Sequence, residues 1–142
     1  MDVNLLRDEL VSITRTQSEA LEAARKAAMQ AAQNEILPKL GEFAAAINLK
    51  WARIRGWTPG FNDGEPCTHS VEVDFEDDYY WSPESVRINS DLKKEDRSVA
   101  EGILWFLNDY IYEPQLRTDY KVTFTFEGGR VSVMREHYEC GY

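Results

Sequence analysis

Cysteine and histidine are scarce in this chain: Cys67 and Cys140, His69 and His137. Two cysteines are too few for the disulfide framework that holds small secreted domains together. The opening residues, Met1-Asp2-Val3-Asn4, lack the basic stretch and apolar core of a secretory leader. A reducing, cytoplasmic setting is therefore expected. Long hydrophobic runs are also missing. Nothing approaches the roughly 18 consecutive apolar residues that a membrane-spanning helix requires, so no membrane role is expected. Positive charge is in deficit, with 16 Lys and Arg against 25 Asp and Glu and a net charge of −9. Direct binding to a nucleic-acid backbone depends on clustered Lys and Arg, and none is expected here. Phosphate loops, dinucleotide fingerprints, His-Glu-x-x-His and Gly-x-Ser-x-Gly are all absent. The sequence therefore leans away from an enzyme.

What is present begins with a helical pattern over residues 2–36. Asp2 is a suitable N-cap. Leu6, Leu10, Ile13, Gln17, Ala20, Ala24, Ala27 and Ala31 follow the alternating four-three spacing of a coiled-coil seam. The large residues come first and the alanines follow. Such a seam needs a partner, which makes a homo-oligomer through this helix one expectation. Pro38 predicts a break, because the residue before a proline is pushed away from helical angles. A second, short helix is then expected over 38–49, giving an N-terminal helical region, 1–49, ahead of a domain spanning 50–142.

From Lys50 the periodicity becomes two. Lys50 to Trp57 alternates, and so does Thr68 to Phe75, which predicts an antiparallel hairpin. One face of it collects Ala52, Ile54, His69, Val71, Val73 and Phe75. The other sets Arg53 and Arg55 opposite Glu72 and Asp74, bracketed by Trp51 and Trp57. Later, Tyr120, Val122, Phe124 and Phe126 alternate with polar residues up to Gly128-Gly129, a pair suited to a two-residue hairpin turn. Its register sets Glu127 against Arg130, Phe126 against Val131 and Tyr120 against His137. Between the hairpins, a helix ending near Tyr112 shows an apolar stripe of Val99, Ile103, Phe106, Leu107 and Tyr110, with Ser90, Asp91 or Asp96 as its cap and Glu113-Pro114 as its stop. Val86–Asn89 is a further short candidate strand. The predicted class is α+β: a long N-terminal helix and a short one, then an antiparallel sheet of two hairpins with an intervening helix, in the order ββαββ.

Charge is unevenly spread. From Phe61 to Asp91 nine acids accompany a single base, Arg87. Within that segment Glu76-Asp77-Asp78-Tyr79-Tyr80-Trp81 joins carboxylates to aromatics. Aromatic residues are enriched where proteins bind one another, and clustered carboxylates suit a basic protein partner. The candidate partner-binding set is thus Trp51, Arg53, Arg55, Trp57, Asp74, Glu76, Asp77, Asp78, Tyr79, Tyr80 and Trp81. A different chemistry is open to Cys67, His69, His137 and Cys140, whose side chains are of the kind that bind zinc tetrahedrally. Their spacing matches no common zinc module. Cys67 and His69 also read as small buried groups at the sheet margin, with His137 and Cys140 incidental. Asp63, Glu65 and His69 are candidates for acid-base work or a metal cradle. Asn62-Asp63-Gly64 also has the composition of an ordinary turn.

The stretch Thr58-Pro59-Gly60-Phe61-Asn62-Asp63-Gly64-Glu65-Pro66-Cys67, with the strand after it, resembles a motif of small uncharacterised proteins of phages and prophages. The likeness covers about residues 51–75. It brings no established activity. It implies a phage or bacterial setting, in which a small acidic protein without enzyme motifs is expected to modulate or inhibit a host protein complex.

Overall fold

The computed structural model describes residues 2–60, 67–75 and 92–139. The element order is α1 (Val3–Ile47), β1 (Trp51–Trp57), β2 (Ser70–Asp74), α2 (Lys94–Leu107), a π-helical turn (Asn108–Tyr112), α3 (Glu113–Leu116), β3 (Tyr120–Glu127) and β4 (Arg130–His137). The class is α+β. Candidate strand Val86–Asn89 and candidate caps Ser90 and Asp91 lie outside the described residues.

The chain divides into two compact units, one up to Glu35 and one from Ile36 onward. The first unit is helix throughout, started by Asp2, whose Oδ1 accepts from the backbone N–H groups of Asn4 (3.0 Å) and Leu5 (3.3 Å). The expected break at Pro38 does not occur. Pro38 lies inside α1, which continues to Ile47. An internal proline removes one backbone hydrogen bond and crowds the carbonyl four residues back, at a cost of about 3 kcal/mol. In the second unit Leu40 and Ala44 are buried, and that burial offsets the cost. The expected boundary at residue 49 is therefore not where the compact units meet.

The helix stops at Asn48. Its φ of 59° is left-handed, a conformation Asn tolerates better than most residues. Leu49 N–H reaches Ala44 O (2.8 Å) and Asn48 N–H reaches Ala45 O (3.4 Å), which is the Schellman pattern. Leu49 is buried at its end. Two residues later β1 begins.

The second unit centres on a four-stranded antiparallel sheet in the order β2-β1-β3-β4. The expected register of the second hairpin is observed, with Tyr120 facing His137, Phe126 facing Val131 and Glu127 facing Arg130. In the first hairpin the arginines face carboxylates as expected, Arg53 opposite Asp74 and Arg55 opposite Glu72. Gly128 and Gly129 turn the second hairpin with φ of 59° and 78°. A Cβ on Gly41 would stand 2.6 Å from Gly129 O, so the tip of this hairpin rests against bare helix backbone.

The inward sheet face carries Ala52, Ile54, Tyr120, Val122, Phe124 and Phe126, all buried. The helical segment packs there through Ala100, Leu104, Leu107, Ile111 and Tyr112, with the Tyr112 and Phe124 rings edge-on at 6.0 Å. Of the predicted stripe Leu107 is buried as expected, but Val99, Phe106 and Tyr110 are exposed at 53, 43 and 65%, and Ala100, Leu104 and Ile111 are buried in their place. Nor does Glu113-Pro114 stop the helix. The chain passes through the π-helical turn into α3, where Pro114 stands in the first turn and needs no intrahelical donor. The end comes at Arg117, whose φ is 65°. Asp96 lies within α2, whose N-cap residue is Lys93.

Candidate functional site

The outward sheet face is built by alternation. β1 directs Trp51, Arg53, Arg55 and Trp57 away from the core, and pairing with β2 sets the two arginines against Asp74 and Glu72. Asp74 Oδ2 receives Arg53 Nη2 at 3.1 Å and Arg55 Nη2 at 3.0 Å, and Arg55 Nη2 also reaches Glu72 Oε2 at 2.5 Å. Asp74 is thus shared by two guanidinium groups. The side chains of Arg53, Arg55 and Asp74 are only 10, 13 and 20% exposed, so these charges are largely removed from water and depend on one another. Arg53 also stacks on Trp51 (5.1 Å) and Arg55 on Tyr138 (5.6 Å). Trp57 meets Tyr138 edge-on at 6.1 Å.

Pairing of β1 with β3 extends this face to Thr125, Thr123 and Lys121, opposite Trp51, Arg53 and Arg55. Lys121 bonds Glu136 across to β4 at 3.1 Å. Toward the hairpin tip, Thr125, Ser132 and Met134 are exposed. An open hollow of about 440 Å³ is lined there by Thr125, Glu127, Gly128, Arg130 and Ser132.

Five of the proposed partner-binding residues therefore share this face: Trp51, Arg53, Arg55, Trp57 and Asp74. The other six, Glu76, Asp77, Asp78, Tyr79, Tyr80 and Trp81, lie outside the described residues. Sequence reasoning missed Tyr138. Continuing the β4 alternation past Glu136 by two residues places it on this face, so its position was readable.

A second cluster gathers around His69. Its Nε2 lies 2.8 Å from Glu113 Oε1. Its Nδ1 is 3.3 Å from the hydroxyls of both Thr58 and Thr118, which bond each other at 2.7 Å. Thr58 N–H donates to Asp119 Oδ1 at 3.4 Å. Beside this, Tyr120 lies with its ring centre 6.2 Å from that of His69. Its hydroxyl donates to Asn108 Oδ1 at 2.5 Å, and Asn108 Nδ2 donates to Asp109 Oδ1 at 3.1 Å. Burial chiefly, with the nearby carboxylates of Glu113 and Asp109, pushes the Tyr120 phenol well above its ordinary pKa, against the opposing pull of the Asn108 bond.

This cluster ties the end of β1 to the approach to β2, to the start of α3 and to the entry into β3. Glu113, Thr118 and Asn108 are far from His69 in sequence, and no spacing signal announces them. Among the described residues no three His, Cys, Asp or Glu side chains converge on a metal-sized site. Cys67 is exposed. His137 is exposed and lies 3.3 Å from Glu139. Cys140, Asp63 and Glu65 lie outside the described residues. Comparison with family models, curated proteins and solved structures finds no match. No described helix is long and apolar enough to cross a membrane.

Proposed function

We propose that this chain is a non-enzymatic interaction protein that binds a protein partner through its outward sheet face and the acidic-aromatic segment following β2. The observation that carries this reading is the assembly of Trp51, Trp57 and Tyr138 around a fixed arginine-carboxylate ladder. Aromatic and arginine side chains held rigidly on a sheet lose little conformational freedom when a partner covers them. Exposed Met134 and the hydroxyls of Thr125 and Ser132 supply an adaptable margin. The net charge of −9 favours a basic partner surface. The phage resemblance supports a host protein complex as that partner.

Affinity capture from host lysate with the full chain, at low and at raised salt, tests this reading. One specific partner is expected, weakened by salt. It should be lost with a Glu76→Gln, Asp77→Asn, Asp78→Asn variant that keeps the circular dichroism of the parent. A partner retained by that variant and indifferent to salt would remove the acidic docking surface from the proposal.

A further inference from the structure

The first unit leaves a helix with an apolar seam in water. Every seam residue from Val3 through Leu6, Leu10, Ile13, Gln17, Ala20, Ala24 and Ala27 to Ala31 is exposed. Val3, Leu6, Leu10 and Ile13 stand at 63, 41, 63 and 57% exposure, and Leu21, flanking the seam, at 70%. Isolated helices gain little stability from propensity alone. Most of the stability of such a helix has to come from packing its apolar stripe.

We propose that the occupant of this seam is a second copy of the same helix, running antiparallel, with residue i of one copy opposite residue 37−i of the other. This places Leu6 opposite Ala31 of the second copy, Leu10 opposite Ala27, Ile13 opposite Ala24, and Gln17 opposite Ala20. Each of these core layers outside the centre joins one large aliphatic side chain to one alanine, so a single separation between the axes suits them all. Packed helices stand about 8–10 Å apart according to the size of the side chains between them. A parallel pair would stack Leu6 on Leu6 at one end and Ala27 on Ala27 at the other. It would then need a wide separation and a narrow one along the same pair of helices.

Charge agrees with this arrangement. Beside the antiparallel seam, Arg7 meets the second copy's Ala28, Glu9 meets Gln30, and Leu21 covers Thr14. No like charges are brought together, and Arg15, Glu22 and Arg25 stay on the outer surface. The opposed helix dipoles also attract. At roughly 60–120 Å² for each fully buried aliphatic side chain, the ten large seam and flanking residues of two copies remove several hundred Å² of apolar surface from water. The alanines and the helix backbone between them carry the contact toward the ~1,000 Å² that marks a specific interface.

Cysteine pairs in the full chain test both the partner and its direction, in a Cys67→Ser, Cys140→Ser background. Leu6→Cys combined with Ala31→Cys is expected to form a covalent dimer under mild oxidation, while neither single variant does. The unmodified protein should have twice the 16.4 kDa chain mass in solution. Ile13→Lys, at an exposed position, should halve that mass while leaving the circular dichroism of the folded part intact. A single Leu6→Cys variant that cross-links to itself would overturn the antiparallel assignment. A one-copy mass at every concentration for the unmodified chain would overturn the self-pairing altogether. None of these outcomes depends on the partner sought with the sheet face.

Discussion

Gly56 offers the sharpest test of the packing around the sheet. It sits on β1 opposite Tyr120 of β3, and a Cβ added there would fall 2.3 Å from Tyr120 Cζ and 2.5 Å from its hydroxyl oxygen. Real carbon contacts do not approach so closely, and Tyr120 cannot yield freely. Its ring is 2% exposed, and its hydroxyl is held by Asn108 at 2.5 Å. Gly56→Ala must therefore push the ring aside. Overpacking of this kind costs about 1–3 kcal/mol. Breaking the Tyr120–Asn108 bond strands a buried amide, at a further cost of about 1–3 kcal/mol. Alanine returns about 0.5–1 kcal/mol by restricting the unfolded chain and suiting the strand better. The net loss is about 1–5.5 kcal/mol, a large share of the ~5–15 kcal/mol by which a domain is stable. Urea unfolding of the full chain, followed by circular dichroism, measures it. Tyr120→Leu shortens the obstructing side chain, so the double variant should be markedly less unstable than the sum of the two singles. A Gly56→Ala change under about 0.5 kcal/mol, or strict additivity with Tyr120→Leu, would refute the close-approach argument.

Two further outcomes follow from buried polar groups. The phenols of Tyr112 and Tyr120 are both raised by burial, that of Tyr112 to about 12. Their protonated forms are favoured in the fold, so this stability is complete below the ordinary phenol pKa of ~10 and declines as pH climbs above it. The expected slope is about 1.4 kcal/mol per pH unit for each tyrosine. Urea midpoints at a series of alkaline pH values should therefore fall, and Tyr112→Phe should remove about half of the slope; an unchanged slope in that variant contradicts the assignment. Asp74→Asn leaves two nearly buried guanidinium groups without their shared anion. A loss of roughly 3 kcal/mol is expected, and Glu72→Gln, at a half-exposed carboxylate, should cost less than 1 kcal/mol. Equal losses for the two variants would show that Asp74 has no special place in the ladder.

The sheet was readable from sequence because strict alternation leaves only one way to bury Ala52, Ile54, Val122, Phe124 and Phe126 together, and Gly128-Gly129 pins the second register. The helical parts were less readable, because there local chemistry competes with packing. Pro38 argues for a break, but burial of Leu40 and Ala44 overrides it. In the helical segment Leu107 is common to both stripes, and choosing Val99, Ile103, Phe106 and Tyr110 beside it instead of Ala100, Leu104 and Ile111 means choosing between two adjacent stripes of similar size. Ala100 is a small side chain for a core position, and Phe106 and Tyr110 are large ones to leave exposed. In the structure those two rings pack on each other at the surface, 4.9 Å apart. The outward face was legible, since alternation alone puts Arg53 and Arg55 on one side with Glu72 and Asp74, but which arginine meets which carboxylate was not. The His69 cluster was not, because its members come from four separate places in the chain and meet only after the sheet has formed.

The sheet order has a consequence for crowded solutions. Among the described residues β4 is an outer strand, eight residues long, with backbone groups along one side that could accept another strand. Arg130, Arg135, Glu136 and His137 stand exposed along it on both faces. A newcomer would have to strip water from ionised groups above and below the plane at once, which is a recognised guard against edge-to-edge stacking. The chain therefore resists growing into fibrils from that edge, whereas docking on the helix seam buries side chains without opening a hydrogen-bonded ladder to indefinite extension.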